Sequence, residues 1–152
     1  MQNNTMTNLP QGWEVKKLGE IGEIFSGSSA PQNKEYFING TYKFVRTKDL
    51  SLKGKTKNLI EIETNINDLA INILQLIEAP KGAVLFPKSG ASIGTNNRAM
   101  LGFNAYIVSH LGVFYLKVNI TNHFVYYFLS NIDFLNFCEN PLYPSLRISK
   151  AN

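Results

Sequence analysis

Short apolar runs separated by polar punctuation make up most of the chain, and their spacing predicts the elements. From Val15 the apolar residues Leu18, Ile21, Ile24 and Phe25 recur at helical spacing up to Gly27, which predicts a short amphipathic helix. Ahead of it, Leu9-Pro10-Gln11-Gly12-Trp13 reads as a turn with the sole Trp as its anchor, and residues 1–8 read as a disordered tail. After the loop Ser26 to Gln32 and the turn signal Asn39-Gly40, alternation over Tyr42 to Arg46 predicts a strand. Leu59 to Ile62 predicts another. Asn67 can cap a helix running to about Ile77, although Ile71, Ile73 and Leu76 would equally suit a strand. Ala83 to Phe86, Gly102 to Val108 and Leu111 to Val118 read as apolar strands. Thr121 and Asn122 then cap a helix carrying Phe124, Val125, Phe128, Leu129, Ile132 and Leu135 on one stripe. Strands and helices without a regular βαβ period predict an α+β fold: a mixed, mostly antiparallel sheet with flanking helices.

Composition narrows this to one domain, expected over residues 9–150. At 152 residues the chain can bury roughly 70% of its unfolded surface in a single core. Cys138 is the only cysteine, so neither an intramolecular disulfide nor a cysteine zinc cluster can be built from this sequence. The first residues lack a signal-peptide pattern, and the longest apolar stretch, Leu69 to Ile77, is far short of the ~20 residues of a membrane helix. A cytoplasmic protein without membrane contact is expected.

Charge changes the picture more. The 15 Lys and Arg exceed the 11 Asp and Glu by only four, yet Lys43, Arg46, Lys48, Lys53, Lys55 and Lys57 fall within fifteen residues opposed by Asp49 alone. Glu61, Glu63, Asp68 and Glu78 follow, so the domain is polarised, as suits a partner that is anionic on one side. One reading is contact of the lysines with a phosphate backbone, with Arg46 and Thr47 near base edges. The other is a solvated Lys-rich hairpin. A second polar cluster follows an apolar strand: Lys88, Ser89, Ser92, Thr95, Asn96, Asn97 and Arg98, interspersed with Gly90 and Gly94. It lacks the terminal Gly-Lys-Ser/Thr of a nucleotide-binding P-loop. Its Asn and Arg side chains suit base edges, with Asn97 and Arg98 the expected readers, while a long surface turn meeting only water is the alternative. A third segment, Asn140 to Arg147, offers Tyr143, Ser145 and Arg147.

Catalytic patterns are sparse. His110 and His123 stand alone, without carboxylates or Cys at metal-ligand or triad spacing. Glu61 and Glu63 flank a strand residue, but no Lys follows Glu63 as a metal-dependent nuclease would need. No enzyme activity, metal or cofactor is expected.

Several segments in this order resemble the target-recognition domain of the specificity subunit of type I restriction-modification systems. They are Leu9 to Ile21 (LPQGWEVKKLGEI), Tyr36-Phe37 leading to Phe44-Val45-Arg46-Thr47-Lys48-Asp49-Leu50, Pro80 to Phe86 with Lys88 to Gly94, and Phe124 to Leu129. The resemblance implies a non-catalytic reader of double-stranded DNA. Such a reader works with methyltransferase subunits; the restriction subunit and a second half-subunit are further candidate partners. In that family a Pro-rich connector and a long spacer helix follow, whereas this sequence stops at Ile148-Ser149-Lys150-Ala151-Asn152, as a half-subunit or truncated subunit would. The alternative is a protein-interaction module that binds methyltransferase subunits and modulates restriction without productive DNA reading.

Overall fold

The computed structural model describes residues 9–50, 58–59, 61–117, 121–140, 142 and 144–148. Nine strands among these residues form two sheets. The five-stranded sheet has the order β1 (Gly22–Ser26), β9 (Leu111–Leu116), β6 (Val84–Pro87), β7 (Ala99–Leu101) and β3 (Asn58–Leu59). The four-stranded sheet runs β4 (Asn65–Ile66), β2 (Tyr42–Val45), β8 (Ala105–Ile107) and β5 (Glu78–Ala79). Pairing is antiparallel except for β2 with β8 and β3 with β7, so the expected mixed, mostly antiparallel α+β architecture holds, divided between two sheets.

Period-two alternation explains the layering. Leu85, Leu111 and Val113 turn to one face of the larger sheet and pack with Phe44, Val45 and Ile107 of the smaller one. Val84, Phe86, Phe114 and Leu116 turn to the other face, against Val125 and Leu129 of helix α3 (Asn122–Ser130) and Leu18 and Ile21 of helix α1 (Leu18–Ile21). Strand β6 is therefore buried on both sides, which is why Ala83 to Phe86 reads as a continuous apolar run.

Several expectations are corrected. The helix expected from Val15 to Phe25 is one turn, closed by Glu20 Oε2 accepting from the Lys17 amide at 2.7 Å, and the chain then becomes strand β1. Five residue pairs with β9 outweigh the helical spacing, and Ile24 and Phe25 face opposite cores as neighbours on a strand must. Trp13 is 71% exposed and anchors nothing; the turn is made by the Trp13 amide on the Pro10 carbonyl and by Gly12 at φ +86°. The strand expected over Leu59 to Ile62 is confined to Asn58–Leu59, with Ile60 outside the described residues. Ile62 is buried outside any strand, while β4, β5 and β7 are additional short strands. Helix α2 (Asp68–Leu74) starts as expected, Asn67 Oδ1 accepting from the Ala70 amide at 3.1 Å, but stops at Gln75, whose φ of 49° is left-handed. The α3 stripe is narrower than expected: Val125 and Leu129 are buried, whereas Phe124 and Phe128 stack on each other in solvent and Leu135 lies in a separate 3-10 turn, Phe134–Phe137. No helix among the described residues is long and apolar enough to cross a membrane.

Candidate functional site

Strand β2 ends at Val45, and its last residues set the first cluster. Lys43 is half-buried opposite Asn65 on β4. Arg46 follows the strand, and Thr47 and Lys48 begin the 3-10 turn Thr47–Leu50. Asp49 holds that turn from within. It is 2% exposed, its Oδ2 accepts from the Arg46 amide at 2.7 Å, and its own amide donates to the Arg46 carbonyl at 3.0 Å. Burial pushes its carboxyl above the usual range, against the opposing pull of the Arg46 amide and Lys48. Lys48 Nζ lies 3.0 Å from Glu63 Oε2, both exposed. Arg46, Glu63, Thr64 and Asn65 line an open depression of about 630 Å³. Lys53, Lys55 and Lys57 lie outside the described residues.

The second cluster follows β6. Beyond Pro87 the chain turns at Gly90 (φ +77°), forms the 3-10 turn Ala91–Thr95 and leaves it through Asn96 in the left-handed region. Its hydroxyls brace it: Ser92 Oγ donates to the Ser89 carbonyl at 3.1 Å and Thr95 Oγ1 to the Ser92 carbonyl at 2.6 Å, while Thr95 Oγ1 accepts from the Asn97 amide at 3.2 Å. Ser92 and Thr95 thus shape the loop, and Asn96 stays exposed at its tip.

Arg98, expected at base edges, is instead buried at 6% exposure. Its Nε donates to the Leu129 carbonyl at 3.2 Å and its Nη2 to the Ile132 carbonyl at 3.1 Å, while Nη1 donates to the Asn97 carbonyl at 2.8 Å. The guanidinium also lies 4.1 Å from the centre of the Phe134 ring. Helix α3 ends without a glycine, and Arg98, just ahead of β7, satisfies carbonyls at that end. Burial lowers its pKa to about 10, against the pull of Asp133. Arg98 ties the end of the loop to the fold and does not present itself outward.

The third segment joins the second. The Gly90 amide donates to the Pro144 carbonyl at 2.8 Å and the Leu146 amide to the Lys88 carbonyl at 2.7 Å, making an antiparallel bridge between Ser89 and Ser145. Arg147 is exposed and paired with Glu139 at 3.3 Å; Tyr143 lies outside the described residues. The first and second clusters meet through the β8–β9 turn: the Val108 amide donates to the Val45 carbonyl and the Lys88 amide to the His110 carbonyl, each at 3.0 Å. One end of the two sheets therefore carries Arg46 to Lys48, Lys88 to Asn97, and Ser145 to Arg147. It also carries His110, which sequence spacing could not place there because its neighbours come from distant segments. No group of three or more His, Cys, Asp or Glu able to hold a metal exists among the described residues.

Residues 10–147 match the family model described as the type I restriction modification DNA specificity domain. Over 119 residues the chain is 37% identical to the type I restriction enzyme MjaIX specificity subunit of Methanocaldococcus jannaschii, covering 78% of this chain and 27% of that protein. Similar solved structures include the HsdS subunit from Thermoanaerobacter tengcongensis, with a TM-score of 0.57 and 20% identity over 80% of this chain and 28% of that one. Another is a chain from work on complex assembly and conformational transition of the type I R-M system, with a TM-score of 0.64 and 16% identity over 92% of this chain and 32% of that one.

Proposed function

From the premise that this chain belongs to the type I restriction modification DNA specificity domain family, we propose that it reads a double-stranded DNA sequence for a restriction-modification system and performs no chemistry of its own. The observation that carries the reading is the backbone zipping of residues 88–90 to residue 110 on one side and to residues 144–146 on the other. It gathers three separate polar segments onto one end of the fold. Lys43, Arg46, Lys48, Lys53, Lys55, Lys57, Lys88 and Arg147 supply phosphate contacts. Thr47, Asn96, Asn97, Tyr143 and Ser145 supply donors and acceptors nearer the bases, with Ser89 supporting them from within the loop. Methyltransferase subunits, and with them the restriction subunit or a second half-subunit, are the partners through which this choice of sequence takes effect. Family membership and the polar end of the fold support DNA reading over an interaction module that reads none.

The test is binding-site selection from random duplex followed by a salt titration of the selected site. If about six of these eight cations reach a phosphate at once, the plot of log affinity against log salt should have a slope near −5. A flat salt response, or no duplex bound at low salt, would refute the reading.

A further inference from the structure

An exposed histidine on a turn ordinarily swings freely, but His110 is fixed from two sides. Its carbonyl accepts from the Lys88 amide at 3.0 Å, and its ring Nδ1 lies 2.8 Å from Ser89 Oγ. The same turn accounts for its position: Val108 bonds to Val45 just before Arg46, so His110 stands between the Arg46 turn and the Lys88 loop. With Nδ1 engaged by Ser89, the remaining ring nitrogen, Nε2, is the one left for a partner, and a hydrogen bond on one nitrogen orients the ring and sets the role of the other. Lysine and arginine on either side suit the diffuse charge of phosphates, whereas a ring of fixed orientation suits a single atom at a defined place.

We infer that His110 is a specificity-determining residue that contacts a base edge through Nε2, with Ser89 as the positioning residue that orients its ring. The inference rests on the DNA-reading proposal and assigns one residue within it. Ser89 then has a double role, since its carbonyl also accepts from Ser92 Oγ and so ties the ring to the shape of the loop.

The experiment compares the full chain with the variants His110→Ala, His110→Gln, Ser89→Ala and Lys88→Ala. Each is assayed by selection from random duplex, by affinity for the selected and a random duplex, and by thermal melting. His110→Ala is expected to lose about tenfold in discrimination at one or two base pairs of the selected site, with random-duplex affinity and melting unchanged. His110→Gln, which keeps a donor, recovers part of the discrimination or redirects it at those same pairs. Ser89→Ala loses less, and its effect disappears in the His110→Ala background, as expected for two residues acting as a unit. Lys88→Ala weakens selected and random duplexes alike. Unaltered selection by His110→Ala overturns the inference while leaving DNA reading intact. So does an equal loss on both duplexes, which would make His110 a phosphate contact. Failure of the unmodified chain to bind any duplex overturns both.

Discussion

Arg98 illustrates how one residue type supports opposite roles. In the sequence it closes a polar loop rich in Asn and Ser, which is the setting of a base-reading arginine. In the fold its donors are turned onto the Leu129, Ile132 and Asn97 carbonyls and its plane onto Phe134, which itself meets Phe86 edge-on at 5.1 Å. What decides the matter is the end of α3, more than thirty residues away, and no local pattern reports it. Arg98→Ala should therefore act first on stability, lowering it by ~2–4 kcal/mol because buried carbonyls lose their donors. Arg98→Lys should recover little, since an ammonium cannot match the planar fork. Denaturant unfolding of both variants checks this, and a melting curve like that of the unmodified chain would contradict it. Asp49 gives a pH signature. Its carboxyl is raised in the folded state by burial, so its contribution to stability is fully present below the unfolded value of about 3.9 and is lost as pH rises through the raised folded value. Relative to Asp49→Asn, which does not titrate, the unmodified chain should gain stability as pH falls from neutrality towards about pH 4. Parallel pH profiles of the two proteins would contradict that.

Elements were legible where local chemistry specifies them. Asn67 announces α2 because its own side chain caps it, and β6 and β9 are apolar and β-branched enough to be read as strands. Strand β1 was not legible: the spacing of Leu18, Ile21, Ile24 and Phe25 fits a helix, and only the distant edge of β9 converts its second half to strand. The polar loop from Lys88 to Asn97 was legible in composition but not in shape. The Ser92 and Thr95 hydroxyls are spent on its own backbone, and its conformation depends on Gly90 at φ +77°, where a Cβ would meet no neighbouring atom. Gly90→Ala is thus a test of conformation without a clash. The positive φ combined with an extended ψ (77°, −173°), a region essentially confined to glycine, should cost about 1–3 kcal/mol, and any relaxation of the Gly90 turn should loosen the Pro144 and Leu146 bonds on either side of Ser89. Discrimination between selected and random duplex should fall more than stability does, as paired selection and melting measurements would show.

For the whole molecule, the Arg46 turn belongs to the four-stranded sheet and the Lys88 loop to the five-stranded one, so their spacing is a property of how the sheets join. The joint is visible in the hydrogen bonds. At Gly27 the chain leaves β9, with the Gly27 amide on the Leu111 carbonyl at 3.3 Å, and one residue later the Ser28 amide is on the Ile107 carbonyl at 2.8 Å. Ser28 Oγ also accepts from the Ile77 amide at 2.8 Å, next to β5. A Cβ at Gly27 would run into the carbonyls of Ile107 and Val108, backbone that cannot swing aside as a side chain would. In the sequence Gly27 reads as a helix stop, because a close approach between remote strands leaves no local trace. Gly27→Ala should then push the two sheets apart at the end that carries the polar clusters, lowering stability by about 2 kcal/mol or more. It should also weaken selected and random duplexes together, because every phosphate contact spanning both sheets is displaced at once. His110→Ala should instead change which sequence is preferred without changing stability. If Gly27→Ala destabilised the fold but bound all duplexes as before, the two clusters would not form one continuous surface.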